Sequence, residues 1–480
     1  MISSPATTEM QQRYQQRLDR YVTAMANGQP DTIPIRPFVA EFVAKYAGMT
    51  CQQVTQDYEL AFEAVRRCAT DFDWDAVVPN MVYVWGGIPQ ALGTRYYSIP
   101  GVGLGPDTGF QYLEPPEGQE WMPADEYDAL IDDPTGYLFS TWLPRTNTRL
   151  TPPGEPNTVD NGLAWLKGGA AMLQYFQALG GSVARLRDEC GTPSAIAGIL
   201  KSPFDIIADK FRGYLGLTMD LYERPEKVMA AAEALMPHML KVAKDSSDPE
   251  GILPVTIWMH RGCVPFITPE QFDRFHWPAL RPVLEELWAA GHQTLLYAEG
   301  KWAHHWDAFL ELPEQSVIVH CDQDDVFAAK KKLGHQFAIS GGIPNTLLSF
   351  GTSDEVRAFC RRLIDEVAVD GGYIADAGAI MQNDTSVENL QAMTDYFREH
   401  GVYSRPADHR PPLRPAEAFT PVPAPALTRD HPRPAGAAEP WEEAKAALPP
   451  ITGDERLVRR TWQNLDAWAY TFAWHCVVSF

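Results

Sequence analysis

Apolar positions recur with two different periods along the chain, and these periods define its predicted elements. From Thr8 to Ala26 apolar side chains return every three to four residues, as in an amphipathic helix, and a second helical pattern runs from Cys51 to Thr70. The short apolar run Ala76–Val78 is ended by Pro79 and is the first predicted strand. The N-terminal part is therefore predicted to be helical and to lead into a sheet.

The second half of the chain alternates short strands with longer helices. The predicted strands are Pro254–His260, Thr294–Glu299, Ser316–Asp322, Phe337–Gly341 and Tyr373–Asp376. The predicted helices are Pro269–Ala290, Trp302–Leu312, Asp325–Leu333, Ser353–Val369 and Val387–His400. This alternation predicts parallel βα units, in either a (β/α)8 barrel or a doubly wound sheet.

The composition of the chain changes after Tyr403. Twelve of the 40 prolines fall between Pro406 and Pro450, a density that excludes helix or central strand and predicts a linker or surface strap. Beyond it, Leu457 and Leu465 follow helical spacing. We therefore divide the chain into an N-terminal helical region packed on the barrel (1–70), a barrel domain (71–403), a Pro-rich linker (404–450) and a C-terminal helix (451–480).

Composition also excludes several classes of function. Acidic residues outnumber basic ones by 62 to 40 and no basic cluster stands out, so nucleic acid is not an expected partner. Seven widely spaced cysteines without a CxxC pair favour reduced thiols and a cytoplasmic protein. The N-terminus lacks a leader-like pattern and no apolar run reaches about 18 residues, so neither secretion nor membrane insertion is expected.

Several motifs in the second half resemble the uroporphyrinogen decarboxylase superfamily, in particular its corrinoid-dependent methyltransferases of the O-demethylase type. They are His260-Arg261-Gly262, Phe272–Leu280, Tyr297–Gly300, Ile339–Pro344, and Gly371–Gly378 followed by Val387-Glu388-Asn389. Their order and spacing carry the resemblance, over roughly residues 200 to 403. The resemblance implies an α/β fold: a (β/α)8 TIM barrel with its active site at the C-terminal strand ends, N-terminal helices, and a Pro-rich C-terminal extension ending in a helix.

Two departures from the family pattern narrow the expected function. The tetrapyrrole decarboxylases carry an RQAGR-like segment, which is missing here, and an aspartate after the first strand, where this chain reads Val78-Pro79-Asn80-Met81. The thiol methyltransferases of the superfamily use a His-x-Cys pair and a later Cys, which align with Tyr297, Glu299 and about Ala379. Porphyrinogen carboxylates therefore lack arginine partners, and a thiolate zinc site is not expected.

A third pattern predicts a zinc site of another kind. Glu299, Glu314 and His335 are separated by fourteen and twenty residues, which resembles the zinc motif of methyltransferases in ether-cleaving O-demethylase systems. Zinc on such ligands would polarise an aryl ether oxygen while the methyl group passes to cobalamin. The predicted strands, however, place Glu314 and His335 at the opposite barrel face from Glu299, so motif and strand assignment disagree.

The strand assignment favours a second set of functional residues at the C-terminal strand ends. The candidates for catalysis are His260, Arg261, Glu299, Asp322 and Asp376. One imidazole and three carboxylates could hold a cation or transfer a proton. Structural roles stay open: His260 and Arg261 could anchor a loop, Asp322 could cap the helix that starts near Asp325, and His320 is expected to be a hydrogen-bonded core histidine.

The favoured function is transfer of a methyl group from a small methylated substrate, for example an aryl methyl ether, to a corrinoid protein. The chain lacks an Asp-x-His-x-x-Gly motif, so cobalamin is expected on the partner, for which the C-terminal helix is a candidate dock. The alternatives are a decarboxylase of a carboxylated aromatic or pyrrole and a non-catalytic tetrapyrrole-binding barrel. A homodimer is left open.

Overall fold

The computed structural model describes residues 5–79, 87–152, 154–404, 420–422 and 432–478. The strands are β1 (Tyr97–Pro100), β2 (Gly103–Leu104), β3 (Gln111–Tyr112), β4 (Gly198–Lys201), β5 (Val255–Met259), β6 (Thr294–Ala298), β7 (Val317–Cys321), β8 (Ala338–Gly341) and β9 (Tyr373–Ile374). A six-stranded parallel sheet in the order β4-β5-β6-β7-β8-β9 forms the centre, and β2-β1-β3 form a separate small sheet.

Helices of very different lengths surround the central sheet. The α-helices are Pro5–Met25, Glu41–Ala47, Cys51–Gln56, Tyr58–Asp71, Ile88–Leu92, Tyr127–Asp132, Pro134–Tyr137, Leu143–Thr146, Val159–Cys190 (the long helix), Pro203–Ile206, Gly213–Glu223, Pro225–Ser246, Pro269–Gln271, Trp277–Ala289, Trp306–Phe309, Val326–Leu333, Asn345–Phe350, Ser353–Arg362, Val387–His400, Trp441–Ala447 and Glu455–Val478 (the C-terminal helix). Short 3-10 helices occupy Ala124–Glu126 and Ala303–His305, and π-helical segments occupy Leu138–Trp142, Ile207–Arg212, Phe272–His276 and Leu363–Val367.

The strands predicted in the second half are confirmed, because each of the five runs contains one of β5 to β9. All five residues of β5 are buried. Val255, Ile257 and Met259 pack in the larger core shared with the helices, whereas Trp258 packs in a second core inside the curve of the sheet. Burial on both faces explains the nearly continuous apolar runs, which are typical of parallel strands covered by helices.

Two extended segments, 33–39 and 75–78, connect the edges of the six-stranded sheet. Ile35 forms a parallel bridge with Ala375 beyond β9, and Val77 forms one with Ser194 before β4. The two segments meet where the Asp75 amide donates to the carbonyl of Ile35 at 2.9 Å. The fold is therefore of the (β/α)8 type, but the regular ladder is not closed. The run Ala76–Val78 contributes one bridge instead of the predicted regular strand.

The helices of the N-terminal half differ from the sequence analysis in two places. The pattern from Cys51 to Thr70 is interrupted at Asp57, whose extended backbone breaks the helix and whose carboxylate caps the next one through the Glu59 and Leu60 amides. The long helix was not predicted. It contains five glycines, at 162, 168, 169, 180 and 181, which weaken its intrinsic helical propensity, so it depends on tertiary packing.

Aromatic rings fill the interior of the barrel. Trp258 stacks on Tyr297 with 3.7 Å between ring centroids, and Tyr297 stacks on His320 at 4.3 Å. Phe38 meets all three rings edge to face. His320 Nε2 lies 3.0 Å from the carbonyl oxygen of Gly378, so the expectation of a hydrogen-bonded core histidine is confirmed.

The C-terminal helix packs with its last turns against its own barrel. Trp474 is fully buried, stacks on His238 at 4.2 Å, and donates from Nε1 to Thr135 Oγ1 at 3.1 Å. The first half of the helix is exposed, with Leu457 and Leu465 each 64% accessible. Within the described ranges, none of the helices combines the length and the apolar character that crossing a bilayer requires.

Candidate active site

A cavity of about 440 Å³ opens at the C-terminal ends of β4, β5 and β6. Five charged or titratable side chains reach it from this end: Lys201, Asp209, His260, Arg261 and Glu299. Aromatic side chains in and beside the small sheet and in β5 also line the cavity, namely Tyr97, Phe110, Tyr112 and Trp258. In barrels of this type the C-terminal strand ends carry the active site, and pockets with apolar walls and few polar groups bind small molecules.

Asp209 is the centre of the charged group. Its carboxylate accepts hydrogen bonds from Lys201 Nζ at 2.6 Å, His260 Nε2 at 2.9 Å and Arg261 Nε at 2.9 Å. Asp209 itself is only 2% exposed. Burial alone would raise the pKa of Asp209, but the charges of His260 and Lys201 outweigh it and hold the pKa well below its ordinary value.

A second buried carboxylate, Asp205, holds the loop that follows β5. It accepts hydrogen bonds from the His260 amide at 2.9 Å and from the Arg261 amide at 2.6 Å, and its other oxygen accepts the Ser202 hydroxyl. Burial would raise the pKa of Asp205, but the hydrogen bond from His276 and the charge of His260 hold it below the ordinary range. The backbone of the loop is thereby fixed, which orients the side chains that face the cavity.

His260 is held at the cavity wall by Asp209. Burial alone would lower its pKa, but the charge of Asp209 outweighs burial, and the pKa of His260 is raised above its ordinary value. The side chain remains 21% exposed. An imidazolium in this place can donate a proton, or a hydrogen bond, to an oxygen atom that gains negative charge.

Glu299 and Asp322 form a second acidic pair at the ends of β6 and β7. Glu299 lines the cavity, and its Oε2 accepts from Trp258 Nε1 at 2.7 Å. Asp322 accepts from the Gly300 amide at 2.8 Å. Burial, with a smaller contribution from Glu299, raises the pKa of Asp322 to about 6. Asp322 therefore positions the loop after β6 and does not cap a helix. The helix that begins at Val326 is capped by Asp325 instead.

Asp376 lies inside the barrel and is not part of the cavity wall. Its Oδ2 is 3.4 Å from Arg36 Nη1, and both side chains are fully buried. Its carboxylate also accepts from the Phe38 amide at 3.2 Å. Burial raises the pKa of Asp376 to about 7, against the opposing charge of Arg36. The pair ties segment 33–39 to the end of β9 and holds Phe38 in the aromatic interior.

The three predicted zinc ligands do not come together. Glu299 follows β6, whereas Glu314 precedes β7 and His335 precedes β8, so both lie at the opposite ends of the parallel strands. A strand of five residues spans about 17 Å, far more than a shared coordination shell allows. Among the described residues, no group of three or more His, Cys, Asp and Glu is arranged to hold a metal ion. Glu299, Glu314 and His335 therefore cannot share one zinc ion.

The sequence analysis missed Lys201, Asp205 and Asp209. All three belong to β4 and the helical stretch that follows it, a βα unit that was not predicted. A signal was present, since Ser202 followed by Pro203 is a typical helix start and its side chain caps the Asp205 amide. Asp205 and Asp209 are four residues apart on this stretch and therefore point to the same side, toward the loop after β5. Asn80 and Met81, considered above, lie outside the described residues.

Parallel βα units around a cavity at the C-terminal strand ends define a protein of the (β/α)8 class. Residues 161–400 match the family model "Uroporphyrinogen decarboxylase (URO-D)", which covers half the chain, and the chain belongs to this family. No protein of curated function matches the sequence at a significant level. The fold is similar to a solved "methyltransferase from Methanosarcina mazei", with a TM-score of 0.50 and 14% identity over 79% of this chain and 97% of that one.

The pKa of His260 predicts a pH dependence of stability. Because the pKa is higher in the folded state than the ordinary 6.5, the imidazolium contributes stability that is complete below pH 6.5 and is lost as pH rises through the folded pKa. The difference in unfolding free energy between wild type and His260→Gln should therefore shrink as the pH rises above about 6.5. Urea titrations across this range would measure it, with His304→Gln on the surface as control. A constant difference would contradict a raised pKa.

Proposed function

We propose that the chain is an enzyme that takes a methyl group from a methylated aromatic substrate bound in the cavity and passes it to a corrinoid carried by a partner protein. The observation that carries the proposal is the contact of His260 with Asp209, at an aromatic-walled cavity at the C-terminal strand ends. The seven cysteines are all free, which agrees with a cytosolic location.

The reaction requires that negative charge on the departing oxygen be neutralised. When the O–CH3 bond breaks, the electron pair remains on the substrate oxygen and the methyl group leaves toward the acceptor. A reduced corrinoid supplies the nucleophile for this transfer. His260 can give the proton on Nε2 to the oxygen, and the proton that stays on Nδ1, 3.5 Å from Asp205 Oδ1, keeps the neutral imidazole in place. Arg261 and Lys201 add positive charge nearby.

A partner bound to the C-terminal helix would contact an element whose last turn lines the cavity. The last turns of this helix are packed against the barrel, so only its first half is available for contact. Leu457 and Leu465 are exposed there, and Trp468 is 50% exposed. We propose this face, defined by Leu457, Leu465 and Trp468, as the dock for the corrinoid protein.

Decarboxylation is the second candidate, and one observation favours it. Lys201 and Arg261 line the cavity and could receive a substrate carboxylate, while His260 could protonate the carbon that loses CO2. Such a reaction needs no corrinoid. Release of CO2 from a carboxylated aromatic in the absence of cobalamin would show that the protein is a decarboxylase. Tight binding of a tetrapyrrole without turnover would instead indicate a non-catalytic role.

The first assay follows methyl transfer from deuteromethyl aryl ethers to chemically reduced cobalamin, with methylcobalamin detected by mass spectrometry. Because protonation by a positioned acid contributes about 100- to 10,000-fold, His260→Gln should lower the rate by at least about 100-fold. His304→Gln, an exposed histidine, should leave the rate unchanged. Equal rates in wild type and His260→Gln, or no methylcobalamin from any ether tested, would contradict the proposal.

A further inference from the structure

The cavity extends well beyond its charged end. It continues along the edge of β4, where the regular ladder stops, and ends between the long helix and the C-terminal helix. This second part, which we call the apolar arm, is lined by Phe176, Leu179, Val183, His475 and Val478. Neither the C-terminal helix nor any residue after 400 belongs to the region matched by the family model. The family model therefore does not cover the wall that the C-terminal helix supplies.

Helical spacing explains how two helices present one apolar surface. Phe176, Leu179 and Val183 are three and four residues apart on the long helix, and His475 and Val478 are three apart on the C-terminal helix. The rings of Phe176 and His475 meet edge to face at 5.2 Å, which joins the two walls. Burial lowers the pKa of His475 to about 4, so its imidazole is neutral near pH 7. The five side chains that line the apolar arm are therefore uncharged near pH 7.

The volume of the cavity sets the size of that occupant. A dry cavity of about 150 Å³ is enough to hold benzene. The cavity here measures about 440 Å³, so a one-ring ether at the charged end would leave most of the apolar arm unfilled. A ligand that leaves the apolar arm empty loses about 25 cal/mol of binding free energy for each Å² of apolar surface that it could have covered.

We infer that the substrate is a methylated aromatic of at least two rings, or one ring with an apolar substituent of that size, which places its methyl-bearing oxygen at the charged end and its apolar part in the arm. This inference rests on the proposed use of the cavity as the substrate site. It makes Leu179, Val183 and His475 specificity-determining residues, since they contact the part of the substrate that does not react.

Binding calorimetry with two probes tests the inference without requiring turnover. The probes are 2-methoxyphenol and 2-methoxy-4-phenylphenol, which share the reactive end and differ by one phenyl group. The wild-type protein should bind the phenyl compound at least tenfold more tightly. Equal dissociation constants for the two probes, or no binding of either, would overturn the inference.

Leu179→Trp fills the arm from the long helix and should weaken binding of the phenyl compound at least tenfold, with less than a twofold effect on 2-methoxyphenol. Leu173→Trp is the matched control, because Leu173 lies on the same helix, is 37% exposed and does not line the cavity. His475→Trp fills the arm from the opposite wall and should act like Leu179→Trp. Thermal midpoints identify any variant that fails to fold.

The outcomes separate this inference from the proposed reaction. If the phenyl compound binds more tightly and Leu179→Trp removes the preference, but neither probe yields methylcobalamin, the apolar arm stands and methyl transfer is wrong. If methyl transfer occurs but Leu179→Trp and Leu173→Trp behave alike toward both probes, the reaction stands and the arm is not a substrate site.

Discussion

Replacing Asp209 by Asn is expected to lower the free energy of unfolding by about 3 kcal/mol and to reduce methyl transfer by at least about 100-fold. The buried carboxylate accepts hydrogen bonds from Lys201, His260 and Arg261, and an amide would leave these three side chains around a neutral centre. Removing one partner of a buried ion pair costs about 3–5 kcal/mol. The lower value applies because Lys201, His260 and Arg261 are 18%, 21% and 15% exposed and keep some contact with water.

Urea unfolding at pH 7 would measure this loss. Asp160→Asn is the matched control, because Asp160 pairs with Arg149 at 2.7 Å but is 63% exposed, and its replacement should leave stability unchanged. The titration of His260 is a further readout, which separates the loss of the Asp209 charge from a change in packing. Without Asp209 the pKa of His260 should fall, since the charge of Asp209 is the main cause that raises it. An unaltered His260 titration in Asp209→Asn would show that another group holds the proton.

Replacing Trp474 by Ala is expected to destabilise the protein by about 3–5 kcal/mol and to open the far end of the cavity. Trp474 is fully buried, and the variant would lose both its stack on His238 and its hydrogen bond to Thr135. His475 follows it directly, so the apolar arm should lose one wall.

The measurement combines urea unfolding with calorimetry of 2-methoxy-4-phenylphenol. Trp468→Ala, which changes a half-exposed tryptophan on the same helix, should affect neither stability nor binding. If Trp474→Ala is as stable as Trp468→Ala, the helix does not dock on its barrel in solution.

The regular part of the fold could be predicted because each of its strands carries its own signal. Strands β5 to β9 are short apolar runs bounded by turn residues, and burial on both faces makes those runs stand out. Segment 33–39 could not be predicted, since Pro34 and Pro37 give it the pattern of a loop. It joins the barrel through Asp75 and through partners near the end of β9, and no local pattern reveals partners so distant in sequence.

The candidate site was predicted in part, for a similar reason. His260, Arg261 and Glu299 follow strands that could be recognised, and the structure brings all three to the cavity. Asp209 follows β4, in which only Leu200 is fully buried, so neither the strand nor the helix after it stood out. The C-terminal helix was predicted, but its docking depends on a surface that sequence periodicity does not describe.

The link between segment 33–39 and β9 has a consequence for how the protein is made. The hydrogen bond from the Phe38 amide to Asp376 joins positions 338 residues apart. Closing so long a loop costs only about 2.5 kcal/mol more than closing one of about 20 residues, so stability suffers little. The order of synthesis has a larger effect. Translation at about 5–20 residues per second separates the synthesis of Phe38 and Asp376 by tens of seconds. Until Asp376 has been synthesised, the apolar side chains of segment 33–39 cannot complete their packing in the barrel, so this segment reaches its final place only late in synthesis.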